Sequence, residues 1–417
     1  MTIGRTVNSV TIKASIPQPT TPEAPPVEGS RRWVTPVLTL ALGSFAMGTD
    51  SFVVAGILPQ LASGLRVSQS AAGQVVTTFA LTYALAAPVL AALTSRLPRK
   101  PLMAVALVLF VAANLASAAA PNLTVLLLAR VAAGLGAALY TPNASAAAVA
   151  LGGPARRGQA LSIILGGLTV GTVFGVPAGT AIGQHIGWQA SLIFVAAVGT
   201  VALLGLLAAL PALPALPPVP IAQRFGLLVN RRVLAIVAVM TLASAASIIV
   251  YTYIAQILHA TAHIAGTSLA IALLAWGLGG TIGAFASGWL TDRYGAHRTL
   301  LLALSALTAT LAGLGYAAST ALVLALMVLN GAAAWAVATP NNHRLTALVP
   351  RLPSVVISYN SSGIYLGQAL GAALGGLLLT HAASATTVCL VGAVLGLGAL
   401  GGHLLLRRTP LAAAPVE

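Results

Sequence analysis

The chain has 417 residues, of which 58% are hydrophobic and only 6% charged, with a formal net charge of +15. Soluble domains carry about 25% charged residues, so this composition cannot supply a water-facing surface, and a polytopic membrane protein is expected. The five carboxylates, Glu23, Glu28, Asp50, Asp292 and Glu417, nearly exclude paired acid–base catalysis, so no enzyme is expected. The single Cys389 excludes an intrachain disulfide and a cysteine metal cluster. No Gly-rich loop ends in Gly-Lys-Ser/Thr, so an ATP-driven pump within one chain is not supported. No cofactor and no metal are expected.

Residues 1–32 are polar and Pro-rich, lack the apolar core of a signal peptide, and read as a disordered cytoplasmic tail. A membrane-spanning helix needs about 20 apolar residues. Such segments predict helices at 34–61, 70–94, 101–120, 122–150, 159–184 and 188–210, then at 233–258, 266–290, 299–318, 320–345, 355–381 and 384–406. The fold class is thus an all-α membrane protein of twelve transmembrane helices. The Pro-rich stretch at 211–232 reads as a cytoplasmic linker between a six-helix half at 33–210 and another at 233–408, with a short cytoplasmic tail at 409–417.

Of the twenty Lys and Arg residues, eighteen fall in the tails and loops on the side of the N-terminus; Arg66 lies opposite and Arg130 lies inside the fourth helix. Cytoplasmic loops concentrate Lys and Arg, so both termini are expected in the cytoplasm. The basic charge is explained by topology and contact with anionic lipid, not by nucleic acid. His259 and His263 have i,i+4 spacing; a metal pair is one reading, two polar residues in an exposed loop after a helix the other.

The halves echo each other. Thr94-Ser95-Arg96 corresponds to Thr291-Asp292-Arg293, offset 197; Thr141-Pro142-Asn143 to Thr339-Pro340-Asn341, offset 198; and Gly171, Gly175 and Gly179 to Gly367, Gly371 and Gly375, offset 196. These place helices 2, 4 and 5 onto 8, 10 and 11, a six-helix unit repeated in parallel, which is a secondary-transporter architecture.

Several stretches resemble the major facilitator superfamily. Gly288-Trp-Leu-Thr-Asp292-Arg293-Tyr-Gly295-Ala-His-Arg298 resembles its signature loop between helices 8 and 9; the first-half copy has Ser95 for the usual Asp and Pro98 for Gly. Leu128-Ala-Arg130-Val-Ala-Ala-Gly134-Leu-Gly136 resembles the helix 4 motif, and Gly171-Thr-Val-Phe-Gly175-Val-Pro177-Ala-Gly179-Thr-Ala-Ile-Gly183 the helix 5 motif typical of exporters. Gly48 to Pro59 resembles helix 1 of the bacterial twelve-helix drug and sugar efflux group, with Asp50 where Glu is common. The resemblance implies proton antiport of small apolar or polyhydroxyl compounds by alternating access, in the bacterial cell (inner) membrane, by a chain that works as a monomer. Its partners would be a small-molecule substrate, protons and the lipid bilayer. The alternative is a proton-independent facilitator or importer; a membrane-embedded enzyme or non-transporting receptor is opposed by the two-half repeat and the lack of catalytic clusters.

Asp50 lies about 4–5 Å beyond the middle of its helix, where a carboxylate must be neutral, paired or wet. It is the candidate proton-coupling residue, against a reading as a carboxylate held by a fixed hydrogen bond. Arg130 reaches the same depth, about 12 Å from the outer end of helix 4, and is the expected second member; pairing with Asp50 and bonding to carbonyls or water both remain open. Substrate-lining candidates are Gln74 and Thr78 on helix 2, Tyr251 and Gln256 on helix 7, and Tyr365 on helix 11, with Trp276 and Trp335 as either anchors or binding aromatics. Conformational residues are Gly171, Gly175, Pro177 and Gly179, whose bare face is expected to slide against helix 8 or 11. With them go Gly288, Asp292, Arg293, Gly295 and Arg298, a latch between halves in the outward-open state.

Overall fold

In a computed structural model, residues 33–94, 96–213, 230–350 and 352–408 are described. The expected tails, Ser95 and residues 214–229 of the linker lie outside them. Within a bilayer every backbone amide must be satisfied inside its own segment or a closed sheet, which favours helices throughout. The described residues form twelve spanning helices and no strand. These are α1 (Val34–Gly64), α2 (Gln69–Leu93), α3 (Arg99–Ala118), α4 (Leu123–Gly153), α5 (Arg156–His185) and α6 (Trp188–Ala209), then α7 (Arg231–Thr252), α8 (Thr267–Tyr294), α9 (Ala296–Leu314), α10 (Thr320–Leu348), α11 (Pro353–Thr380) and α12 (Ala385–Arg408).

Polar side chains placed where the apolar runs begin cap the helices. Ser68 accepts from the Ala71 amide (3.1 Å) ahead of α2, Asn122 from Val125 (3.0 Å) ahead of α4, and Asn230 from Arg232 (3.0 Å) ahead of α7. Glycine serves the sharp breaks: Gly153 at φ +64° separates α4 from α5, and Gly295 at φ +84° ends α8, a backbone region that costs other residues about 1–2 kcal/mol.

Three expected elements differ. Helix 7 is not continuous: it stops at Thr252, Tyr253 leaves helical geometry, and a short helix, Ile254–Ala262, follows. That places Gln256 on the second piece, apart from Tyr251. His259 is helical, not looped, and His263 closes the piece in the left-handed region at φ +54°. Their ring centroids are 6.4 Å apart, and no third metal-ligating side chain groups with them among the described residues. In α5, Gly171–Gly175 form a π-turn just ahead of Pro177. Proline has no N–H to return to Val173, and the wider turn accommodates that lost bond.

The repeat read from sequence is a repeat of packing. In the first half α1 packs on α5 and α6, α2 on α4, and α3 on α4 and α6; the second half repeats these pairs as α7 on α11 and α12, α8 on α10, and α9 on α10 and α12. The register recurs too. Gly171, Gly175 and Gly179 abut Phe45, Thr49 and Val53 on α1, while Gly367, Gly371 and Gly375 abut Thr241, Ala245 and Ile249 on α7. The partners are offset by the same 196 residues as the glycines themselves. The expectation that these faces slide between halves is therefore corrected: each triplet is a seam inside its own half. The α5–α8 contact uses Gly277, where an added Cβ would sit 2.8 Å from Val173 Cα.

The halves meet along α2–α11 and α5–α8. Ser70 donates to the Gly376 carbonyl (2.7 Å) and lies 3.2 Å from Thr380 Oγ1 at the end away from the basic loops; at mid-depth Tyr83 stacks on Tyr365 with centroids 3.6 Å apart. At the opposite end Asp292, Arg293 and Arg298 are exposed. The described conformation is the one closed away from the basic loops.

Candidate functional site

α1 and α4 bring the two mid-span charges, Asp50 and Arg130, together. Arg130 Nη1 donates to Asp50 Oδ1 at 2.8 Å, with side chains 1% and 0% exposed. It is the one ion pair among the described residues. The Arg130 guanidinium also lies 4.6 Å from the centroid of the Phe79 ring on α2, a cation–π contact that tolerates desolvation. Of the two readings left open by the sequence, pairing is the one found. The pair is not saturated: Asp50 Oδ2 and Arg130 Nε have no hydrogen-bond partner among the described residues. Removing one member of such a pair strands the other and costs about 3–5 kcal/mol.

Tyr365 is the sequence-predicted residue that joins this centre. It reaches across from α11 of the second half, interacting with Ser51, with Tyr83 and with the Asp50 charge. Tyr83 in turn interacts with Thr141. Ser51, Phe79 and Tyr83 were not singled out from sequence. Their signals were present: Ser51 adjoins Asp50, and Phe79 and Tyr83 share one face of α2 at i,i+4 spacing.

The other lining candidates are dispersed. Gln74 and Thr78 are half-buried on α2, and no hydrogen bond among the described residues links either to the Asp50–Arg130 pair. Gln256 has a buried Oε1 without a partner among the described residues. Tyr251 is 4% exposed, its hydroxyl also without a partner among the described residues, and its ring packs with Phe52 and Trp276. Two serines of α11 bond back to their own helix: Ser358 donates to the Val355 carbonyl (2.7 Å) and Ser361 to that of Ile357 (3.1 Å).

The latch residues are separate from this centre. A Cβ at Gly288 would meet nothing within 4 Å, Asp292 forms no ion pair among the described residues, and Arg293 lies 5.7 Å from the Trp289 and Tyr294 rings.

Comparison with known proteins agrees with this architecture. The profile of the Major Facilitator Superfamily matches residues 40–354 and again 233–417. The MFS-type transporter YbcL of Bacillus subtilis is 30% identical over 86% of this chain and 92% of its own length. The inner membrane transport protein YdhP of Escherichia coli is 30% identical over 90% and 97%, and a chloramphenicol resistance protein of Streptomyces lividans 30% over 83% and 89%. Among solved structures, the nucleoside transporter NupG superposes with a TM-score of 0.74 at 13% identity, covering 91% of this chain and all of that one. A bacterial homologue of the lysosomal transporter Spinster, inward-facing and unoccupied, gives 0.71 at 18%, covering 91% and 98%. At those identities the structures speak to fold alone. With the repeat, the twelve spans and the in-span charge pair, the sequence matches make the chain a multi-pass membrane transporter belonging to the Major Facilitator Superfamily.

Proposed function

We propose that the chain exports small apolar or polyhydroxyl compounds from the bacterial cytoplasm across the cell (inner) membrane by proton antiport, as a monomer with both termini inside. The observation that carries this reading is the Asp50–Arg130 pair, buried at mid-depth with Asp50 Oδ2 unpartnered among the described residues. A proton arriving at Oδ2 would cancel the carboxylate charge and release Arg130 from its counter-ion. Loss of that proton would restore the pair. A pair alternating between these states ties proton occupancy to the packing of α1 against α4, and through Tyr365 to the second half.

The exporter direction is supported by the helix 5 motif and by the similarity to a chloramphenicol resistance protein. The loop carrying Gly288, Asp292, Arg293, Gly295 and Arg298 would latch the halves on the basic side in the opposite state. Gly171, Gly175 and Gly179 would hold α5 on α1, with the π-turn before Pro177 as the place where α5 flexes.

The test is Asp50→Asn in proteoliposomes. Asn keeps the size but cannot titrate. Uphill efflux driven by an inward proton gradient should fall at least tenfold, while gradient-free exchange of labelled for unlabelled substrate persists. Unchanged uphill efflux would remove Asp50 from coupling and favour the facilitator reading.

A further inference from the structure

Tryptophans of membrane proteins gather at the water interface, yet two of the five here, Trp276 and Trp335, sit deep between the halves. With Phe52 and Tyr251 they form a four-ring group drawn from α1, α7, α8 and α10. Tyr251 and Trp276 are 4.4 Å apart between centroids, Phe52 is 5.5 Å from each of them, and Trp335 is 6.3 Å from both Phe52 and Trp276. Only Phe52 comes from the first half, so the group straddles the plane along which the halves separate.

The rings are held in place by more than ring packing. The Trp276 indole N–H donates to Asn330 Oδ1 (3.1 Å), and Asn330 Nδ2 donates to Thr310 Oγ1 (3.0 Å). This buried polar relay fixes the indole's orientation. Gly280 makes room for Trp335: a Cβ there would lie 2.9 Å from Trp335 Cδ1. Pre-set side chains supported by a second layer of contacts are what a binding surface requires. Phe52 and Trp335 keep partly exposed faces. Tyr251 supplies a hydroxyl that is buried and has no partner among the described residues, so a ligand carrying an acceptor would satisfy it. Binding pockets combine apolar and aromatic walls with a few such polar groups.

The electrostatics narrow the ligand further. Asp50, two residues before Phe52 on α1, is the one buried carboxylate among the described residues and is already neutralised by Arg130. A cation entering the site would find no free counter-charge, and burying an unpaired charge is costly. A sugar would present several hydroxyls to one. We propose that the four rings are the substrate-recognition site and that it takes uncharged compounds bearing an aromatic ring and a hydrogen-bond acceptor. This rests on the exporter reading above for its role in transport, but not for binding itself.

The test is equilibrium binding to the full chain in nanodiscs at one fixed pH, without a gradient, using radiolabelled chloramphenicol as the neutral aromatic, tetraphenylphosphonium as the aromatic cation and arabinose as the sugar. Chloramphenicol should bind saturably and the other two at least tenfold more weakly. Trp335→Ala and Phe52→Ala should each weaken chloramphenicol at least tenfold, Trp335→Phe by less than threefold, and Tyr251→Phe by an intermediate amount. Thermal unfolding of each variant in the same nanodiscs verifies that it is folded. Preference for the cation or the sugar, no saturable chloramphenicol binding, or wild-type binding by folded Trp335→Ala and Phe52→Ala would each overturn the proposal. Proton coupling is read separately: Asp50→Asn should keep chloramphenicol binding while losing uphill efflux. Loss of efflux alone therefore supports the exporter reading, and loss of binding in the ring variants alone supports this one.

Discussion

Asp50 gains its meaning from three side chains on three other helices. Arg130 on α4 takes one carboxylate oxygen, Phe79 on α2 covers the guanidinium, and Tyr365 on α11 approaches from the other half. On the proposed reading, Tyr365 is one route by which a change of charge at Asp50 reaches the second half. Tyr365→Phe keeps the ring that stacks on Tyr83 and removes only the hydroxyl. We expect it to fold and to exchange substrate, but to weaken coupling, so that the uphill accumulation ratio falls severalfold at a given proton gradient. Direct measurement of proton flux per substrate checks this; an unchanged ratio would leave Tyr365 as a packing residue. Sequence reached Asp50 and Arg130 because depth along a helix follows from counting at 1.5 Å per residue. It did not reach Tyr83 or Phe52, because their partners belong to helices distant in the chain, and periodicity within one helix carries no record of which helix faces it.

The glycine triplets illustrate the same limit for whole helices. A four-residue glycine spacing does specify a close approach between backbones, and α5 and α11 both make one. It does not specify the neighbour, and the neighbour is α1 or α7 within the half. Close reading of the seam also separates the sites. At Gly171 and Gly371 an added Cβ would overlap main-chain carbonyls, of Phe45 and Ala245, which cannot move without the helix. At Gly175 the obstacle is the Thr49 hydroxyl, which itself bonds the Phe45 and Gly171 carbonyls at 2.9 and 3.2 Å. Overpacking costs about 1–3 kcal/mol. Gly171→Ala and Gly371→Ala should therefore lower thermal stability, and Leu at either site more so. Gly175→Ala should be partly rescued by Thr49→Ala, giving a favourable coupling in a double-mutant cycle read by thermal unfolding. Additive effects at 49 and 175 would mean that the seam relaxes by shifting helices rather than side chains.

The whole molecule is two copies of one packing pattern, closed on each other at one end. The 196-residue offset was legible in the glycines, and the basic loops were legible as one side of the membrane. The state of the transporter was not, because a sequence encodes both conformations at once. Contacts between halves decide it: Ser70 and Thr380, on α2 and α11, have hydroxyls 3.2 Å apart at the end away from the basic loops. Alternating access requires this contact to break in each cycle. A disulfide placed there should therefore hold the molecule shut. Cys389 is fully buried, so it can stay or be replaced by alanine without supplying a competing surface thiol. In the Ser70→Cys, Thr380→Cys variant, an oxidant should form the cross-link, because hydroxyl oxygens at that spacing sit on Cβ atoms within the reach of a disulfide, whose Cβ atoms lie about 3.5–4.5 Å apart. Transport should fall to background on oxidation and return on reduction, while either single cysteine stays insensitive. The yield should also report the equilibrium between states, since about 1.4 kcal/mol shifts populations tenfold. A cross-linked protein that transports at the normal rate would mean that this end never opens, and that substrate leaves by another route.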